Sequence, residues 1–213
     1  MSTSIVEREA RFLVEDPAVH RAAAALASLS AFVVVRRRHE RQRNTYLDTD
    51  ELRLRTSHAI LKLREAGRSA EVTFKKSLSY RHGVANRLEV TQRIRPSAKR
   101  SALQGTLAID PIRRARALIG ARPLRILFTL LTDRRTLILA AGRARVELDI
   151  DRVTFERAGR VVARRLEIEV ENLTASPAVF ASAIAALRAR FGSRLRLSRV
   201  TKFEYGLRVS RAS

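Results

Sequence analysis

The sequence predicts an α+β fold in which antiparallel strands are spread along the chain and a few helices interrupt them. Several segments alternate apolar and charged residues with a period of two, as strands do. Helix starts are few and irregularly spaced, which does not fit a regular repeat of parallel strand and helix. The chain has 213 residues, of which 46% are hydrophobic. That is enough to bury the core of a single domain, which we place over residues 1–213.

Three helices are predicted from their first residues. Asp16-Pro17, Asp110-Pro111 and Ser176-Pro177 each place a side chain that can cap a helix directly before a proline, which is favoured at the first helical position. Apolar-rich segments follow each of these starts. We therefore expect helices at residues 18–29, 112–119 and 178–191, and a less regular fourth helix at residues 97–107.

The strands are predicted from alternation, which is clearest in Leu166-Glu167-Ile168-Glu169-Val170-Glu171. There, three carboxylates share one face at a spacing of about 6 to 7 Å. Similar alternation occurs at residues 7–11, 61–64, 72–75, 87–89 and 146–151. For any one strand, a solvated charged face is the simplest interpretation. Carboxylates in a row repel one another, however, unless a divalent cation or cross-strand Arg and Lys side chains compensate them.

The composition indicates an anionic partner and excludes several classes of protein. The chain carries 43 Lys and Arg against 21 Asp and Glu, a net charge of +22, and it has no Cys for disulfides or thiolate metal sites. Its longest nearly apolar stretch, residues 22–35, is shorter than the roughly 20 residues that span a bilayer. No secretory signal begins the sequence. We therefore expect a cytoplasmic protein without membrane contact. The four histidines lack metal-ligand spacing and are expected at the surface.

The charged segments form an ordered series. It begins with Glu7-Arg8-Glu9-Ala10-Arg11-Phe12 and continues at residues 45–49, 61–64, 72–75, 87–89, 133–134, 146–149, 167–169 and 201–203. In this order they resemble the motifs of the CYTH family, also called triphosphate tunnel metalloenzymes. The resemblance extends from residue 5 to residue 207. It implies an eight-stranded antiparallel β-barrel that is open at both ends, with charged side chains inside and helices packed outside.

The resemblance also implies roles for the charged residues. Glu7, Glu9 and Glu169 are the expected catalytic carboxylates, and with Glu167 and Asp149 they would hold one or two Mg²⁺ or Mn²⁺ ions. The residues expected to bind the phosphates of the substrate are Arg11, Lys62, Arg64, Lys75, Arg87, Arg134 and Lys202.

Some positions stay open at this stage. Arg11 stands where the family commonly has Lys, which keeps the charge and changes the hydrogen-bond geometry. Arg135 adjoins Arg134, and we favour Arg134 as the residue that points inward. Glu171 and Asp151 extend the acidic faces and could equally be structural.

The function implied by the resemblance is metal-dependent removal of the terminal phosphate from a triphosphate. Inorganic tripolyphosphate is the favoured substrate, since the chain has no Trp and only three Tyr with which to stack a base or thiazolium. Thiamine triphosphatase and class IV adenylate cyclase are the alternatives within the family. A non-enzymatic barrel that binds polyphosphate or RNA is the alternative outside it. The basic segment at residues 36–43, and Arg113, Arg114 and Arg116, are either a solvated surface or a binding surface for polyphosphate or RNA.

Overall fold

The computed structural model describes residues 2–211 and confirms the predicted fold, a closed eight-stranded antiparallel β-barrel with helices packed outside. The strands are β1 Ser2–Val14, β2 Ser28–Leu29, β3 Phe32–Asp48, β4 Ala59–Ala66, β5 Ser69–Arg81, β6 Val84–Ile94, β7 Arg125–Ala141, β8 Ala144–Arg157, β9 Arg160–Asn172 and β10 Leu195–Leu197. The helices are α1 Pro17–Ala24, α2 Arg53–Thr56, α3 Lys99–Gln104, α4 Asp110–Ile119, α5 Pro177–Phe191 and α6 Lys202–Arg211.

The barrel closes because β1 pairs with two different strands. Around the barrel the order is β1-β6-β5-β4-β3-β7-β8-β9, and β9 then returns to β1. Residues 2–10 of β1 pair with β6, whereas residues 9–14 pair with β9. The short strands β2 and β10 extend the sheet at β3 and β1. In this order β4 and β5 lie across the tunnel from β9 and β8.

Apolar side chains cover the outside of the barrel, and this arrangement leaves the charged faces pointing inward. Phe12 and Ile168 are fully buried beneath helix α5, in one cluster with Phe180 of that helix. A second outer cluster packs strands β3 to β5 beneath α3 and α4. The period of two then places every other residue of each strand inside the tunnel.

The tunnel is open at one end only, which corrects the expectation of two open ends. Helix α6 lies across the end where β3 finishes and β7 begins, and it packs Phe203 and Leu207 against Tyr46 and Phe128 from the inner wall. Tyr46 stacks on Phe128 with ring centroids 4.9 Å apart. The other end, where β4 finishes and β5 begins, is hereafter called the mouth.

Three helix predictions need correction in detail. Helix α1 ends at Ala24, and residues 28–29 instead form strand β2, which pairs with the start of β3. Residues 97–107 divide into a 3₁₀ turn and the short helix α3, which Gly105 ends in the left-handed conformation. Asp110 is the first residue of α4 rather than its cap, and its carboxylate pairs with Arg114 at 3.2 Å.

His20 is buried on α1, contrary to the expectation that all four histidines lie at the surface. Burial lowers its pKa, which keeps the imidazole neutral. Within residues 2–211, no helix has the length and apolar character needed to cross a membrane.

Candidate active site

The inner faces of the strands enclose a cavity of about 180 Å³. All seven residues predicted to bind phosphate line it: Arg11, Lys62, Arg64, Lys75, Arg87, Arg134 and Lys202. Glu7, Glu9 and Glu169 line it as well. Glu167 lies on the same inner face but is fully buried and does not line the cavity; it contacts Arg165 and lies 3.3 Å from Arg11. The alternation of the strands therefore gathers residues as far apart in the sequence as Glu7 and Glu169, and helix α6 adds Lys202.

Arg11 holds the acidic residues of neighbouring strands together. Its guanidinium donates to Glu9 at 2.7 Å and to Glu169 at 2.5 Å, and Glu167 lies 3.3 Å from it. Burial opposes the charged form, but Glu9 and then Glu169 raise the pKa of Arg11 well above its ordinary value. Arg87 contacts the same oxygen of Glu9. These carboxylates are thus paired with Arg side chains without any ligand.

The opposite wall, formed by β4 and β5, is rich in cations. Lys75 donates to both oxygens of Glu7, at 2.7 and 2.8 Å, and its Nζ lies 2.5 Å from Glu89. Arg64 lies on the same wall and donates to Asn44 at 3.0 Å. Arg64 also pairs with Glu71 of β5 at 3.4 Å. Lys75 is therefore compensated by carboxylates of β1 and β6, and Arg64 by one carboxylate of its neighbouring strand.

Lys62 is the exception on this wall. Its side chain is buried, with 6% of the residue exposed, and it makes no hydrogen bond or ion pair with any residue between 2 and 211. Burial, followed by the positive charges of Arg64 and Lys75, holds the pKa of Lys62 well below its ordinary value. A buried amine among other cations is costly unless an anion binds to it.

The wall formed by β8 and β9 carries a network of carboxylates, which two cations from β7 and α6 contact. Arg134 donates to Asp151 at 2.8 and 2.6 Å and to Glu169 at 3.1 Å, and it also contacts Asp149. Lys202, at the start of α6, donates to Asp151 at 2.7 Å and lies 2.8 Å from Glu169. The helix that closes the tunnel therefore contributes a cation to the site. The choice of Arg134 over Arg135 as the inward residue agrees with these contacts.

Three carboxylates near the mouth are poorly compensated, because Glu147 and Glu171 make no ion pair with any residue in the range 2–211 and only Asp149 contacts a cation, Arg134. Oxygen atoms of Glu147, Asp149 and Glu171 lie within 4.8 Å of one another. Burial, followed by the negative charge of Glu7, raises the pKa of Glu171 to about 9. Burial also raises the pKa of Asp149 to about 7, in spite of the nearby Arg134. Close carboxylate oxygens with excess negative charge suit a hard divalent cation such as Mg²⁺ or Mn²⁺.

This cluster overlaps the predicted ligand set only at Asp149. Glu7, Glu9, Glu167 and Glu169 all contact Arg or Lys side chains. The two sets adjoin, because Glu9 is the cross-strand neighbour of Glu171, and Glu171 is that of Glu147. Glu147 was missed, although its position two residues before Asp149 already placed it on the same face.

A model of the CYTH domain matches residues 6–201, and the chain therefore belongs to the CYTH family. A comparison with curated protein sequences finds no match. The fold, the charged tunnel and the family match thus agree on a triphosphate tunnel protein.

Solved structures show the same fold. The chain is similar to HpAC1 from Hippeastrum, a proposed adenylyl cyclase described as having a dominant triphosphatase activity, with a TM-score of 0.71, 21% identity and coverage of 95% of both chains. It is also similar to a proposed adenylate cyclase from Bacillus halodurans, with a TM-score of 0.68, 21% identity and coverage of 95% of this chain and 97% of that one. For PH1819 from Pyrococcus horikoshii the TM-score is 0.54, the identity 14% and the coverage 94% and 98%.

Proposed function

We propose that this protein is a divalent-metal-dependent triphosphatase that removes the terminal phosphate of inorganic tripolyphosphate. The observation that supports this most directly is Lys62, a buried amine that makes no hydrogen bond or ion pair within residues 2–211 and lines the cavity beside the cations Arg64 and Lys75. A phosphate chain would supply the missing negative charge. Together with Arg64 and Lys75, Lys62 would bind its oxygen atoms along one wall.

The opposite wall suits the metal. Glu147, Asp149 and Glu171 would hold a Mg²⁺ or Mn²⁺ ion, and Glu9 adjoins them through its pairing with Glu171. When bound, the divalent cation supplies neutralisation of phosphate charge and a more acidic coordinated water. The reaction adds water to the terminal phosphorus and breaks the P–O–P bond, which yields orthophosphate and pyrophosphate. Arg134, held by Asp149 and Asp151, lies where it can neutralise the charge that develops as this bond breaks.

The aromatic residues favour an inorganic substrate over a nucleotide or thiamine triphosphate. Tyr46 and Phe203 line the cavity at its closed end, where they pack on each other with ring centroids 5.7 Å apart. Their ring faces are therefore engaged in closing the tunnel. Among the described residues that line the cavity, these two are the only aromatic ones.

The cytoplasmic location expected from the sequence stays a prediction.

The direct test measures phosphate release from tripolyphosphate, thiamine triphosphate and ATP, each with Mg²⁺, Mn²⁺ or EDTA. We expect tripolyphosphate to be cleaved fastest and only with a divalent cation. Full activity in EDTA would contradict the metal requirement. Formation of cyclic AMP and pyrophosphate from ATP would replace the triphosphatase by a cyclase. Metal-dependent binding of all three compounds without turnover would indicate the non-enzymatic barrel.

A variant tests the acidic wall separately. Glu171→Gln should lower the turnover of tripolyphosphate by roughly 100-fold or more, because Glu171 belongs to the proposed metal cluster and metal-assisted charge stabilisation contributes several kcal/mol. Higher Mn²⁺ should restore part of that loss. Glu65→Gln is the matched control, since Glu65 contacts Lys99 instead of lining the cavity. Normal turnover by Glu171→Gln would remove the carboxylate cluster from the mechanism.

A further inference from the structure

Strand β3 extends beyond the closed part of the barrel at the mouth. Strand β4 pairs with β3 only along residues 42–47, whereas β7 pairs with it from residue 33 to residue 48. Val34 still donates its backbone N–H to the carbonyl of Ala27 at 3.0 Å, and residues 35–41 of β3 have no strand partner on that side and are backed by β7. We call residues 34–41 the mouth extension. It carries most of the basic segment that the sequence singled out.

Alternation sorts the arginines of the mouth extension onto two faces. Gln42 and Asn44 line the cavity, so Arg38 and Arg36 continue the same inner face of β3. Across β7, Arg38 lies in one row with Thr136 and Asp149. The inner face of the extension is thus continuous with the wall that carries the poorly compensated carboxylates.

The outer face of the extension is partly used by the fold. Arg37 donates to the carbonyl oxygen of Ala24 at 3.1 Å and also to that of Leu26, which secures the end of α1. His39 lies 2.6 Å from Asp133. Arg41 is exposed on this outer face. The helix arginines are also partly used, since Arg116 donates to backbone carbonyls around Gly105 and Gly120.

Arg36 and Arg38 differ from Arg37. Both are exposed, and neither makes a hydrogen bond or an ion pair with any residue in the described range 2–211. Two residues apart on one strand face, their side chains start about 6 to 7 Å from each other. Arg38 lies four residues beyond Gln42, roughly 13 Å further out along the strand. They form a short row of unpaired positive charge that leads out of the cavity.

The closed end of the tunnel determines where a long substrate leaves the cavity. Because α6 blocks the other end, any part of a substrate that does not fit the cavity must leave through the mouth. The residues that face this path on β3 and β7 are Arg36, Arg38, Glu40, Thr136 and Ile138. None of these five described residues offers an aromatic ring on which a nucleic acid base could stack. The path therefore offers two guanidinium groups that can bind phosphate, and its one carboxylate among these five residues, Glu40, accepts a hydrogen bond from Gln42 at 2.6 Å.

We propose that the substrate includes inorganic polyphosphate longer than three phosphates. Its terminal phosphates occupy the cavity, and the phosphates that follow bind Arg36 and Arg38 on the inner face of the mouth extension. This inference rests on the proposed triphosphatase function and specifies its substrate class. It also implies that cleavage proceeds from a chain end, because the tunnel cannot be threaded.

The test compares two double variants of the same strand. Arg36→Ser with Arg38→Ser should raise the KM for long-chain polyphosphate roughly tenfold, as expected for two exposed charge contacts. The KM for tripolyphosphate should change less than twofold. The slope of log KM against log salt concentration for the long chain should fall by about 1.4, since a contact to a single phosphate strand contributes about 0.7. Arg41→Ser with Arg43→Ser, on the outer face, is the control and should leave both values unchanged.

The inference would be overturned if the inner-face variant changed the KM for tripolyphosphate and for long-chain polyphosphate equally. It would also be overturned if both double variants changed the KM for long-chain polyphosphate equally. Equilibrium binding of long-chain polyphosphate to the same proteins gives a readout that does not depend on turnover. If wild-type protein fails to cleave tripolyphosphate and only the inner-face variant loses polyphosphate binding, the triphosphatase proposal is wrong. The proposed binding of polyphosphate by Arg36 and Arg38 is then still supported. Tighter binding of a single-stranded RNA with the same dependence on Arg36 and Arg38 would overturn the choice of polyphosphate.

Discussion

The wall of β4 and β5 and the wall of β8 and β9 face each other across the tunnel and differ in what they lack. On the first wall Lys62 makes no ion pair within residues 2–211, and burial with the charges of Arg64 and Lys75 outweighs the more distant Glu89 and Glu7 in lowering its pKa. On the second wall the pKa of Glu171 is raised to about 9 by burial and neighbouring negative charge. Strand β1 reaches both walls with ion pairs, since its Arg11 contacts Glu169 on β9 and its Glu7 contacts Lys75 on β5. Opposite charges are thus both present but kept apart. A metal ion with a phosphate chain would compensate both walls at once.

The largest effect on substrate binding is expected from the cationic wall. Lys62→Met should raise the KM for tripolyphosphate by roughly 10- to 100-fold, the loss of one hydrogen bond to a charged group. The same variant should increase the free energy of unfolding without ligand by about 1 to 3 kcal/mol, because it removes a buried polar group that lacks a partner. Steady-state kinetics and urea denaturation measure the two quantities on one protein preparation.

Lys75→Met is the control that distinguishes function from general disruption. Lys75 is paired with Glu7 and Glu89, so its loss leaves carboxylates uncompensated and should lower the free energy of unfolding by about 3 to 5 kcal/mol. If Lys62→Met raises the free energy of unfolding and Lys75→Met lowers it, the result supports an unpaired Lys62 beside a paired Lys75. A destabilised Lys62→Met variant would show that Lys62 has a partner in solution.

The acidic wall should show itself in the pH dependence of stability without metal. In the unfolded chain Glu171 loses its proton near its ordinary pKa of 4.5, whereas in the folded protein its pKa is about 9. Between these values the folded state binds more protons, and the free energy of unfolding therefore falls as the pH rises. Glu171→Gln should reduce this slope by at most about 1.4 kcal/mol per pH unit. Denaturation in EDTA at pH 5, 7 and 9 measures it.

Adding Mn²⁺ to the same denaturation experiment tests whether these carboxylates bind a divalent cation. If the cluster of Glu147, Asp149 and Glu171 binds the cation, stability at pH 9 should rise with Mn²⁺ in wild-type protein and rise much less in Glu171→Gln. An unchanged slope in the variant, or equal stabilisation of both proteins, would show that these carboxylates are already solvated.

The barrel could be predicted because alternation reports faces directly. Glu167 and Glu169 share the inner face, and Ile168 between them is fully buried on the outside. The direction of those faces could not come from alternation alone, since a solvated outside and a polar tunnel give the same pattern. The family resemblance resolved that ambiguity, and the helices over Phe12 and Ile168 explain it physically.

The closed end and the poorly compensated carboxylates were not predictable in the same way. Helix α6 begins at Lys202, inside a segment whose motif predicts a binding lysine but no element. That it blocks the tunnel depends on Phe203 meeting Tyr46 and Phe128, which are distant in the sequence. Likewise, the excess negative charge at Glu171 depends on which carboxylates Arg and Lys side chains reach. Such pairing is a property of the folded tunnel rather than of any one strand.

The smallest effect is expected at Arg135, which adjoins Arg134 in the sequence but lies on the opposite face of β7. Arg134 contacts Asp149, Asp151 and Glu169 inside the tunnel. Arg135 pairs across the strands with His39, on the outer side of the mouth extension. Arg135→Ser should therefore change the free energy of unfolding by no more than about 0.5 kcal/mol and leave tripolyphosphate kinetics unchanged. Arg134→Ser, measured beside it, should lose activity because three carboxylates lose their cation. A loss of activity in Arg135→Ser with a normal Arg134→Ser would mean that β7 is shifted by one residue, and the acidic wall would then have to be rebuilt around the other register.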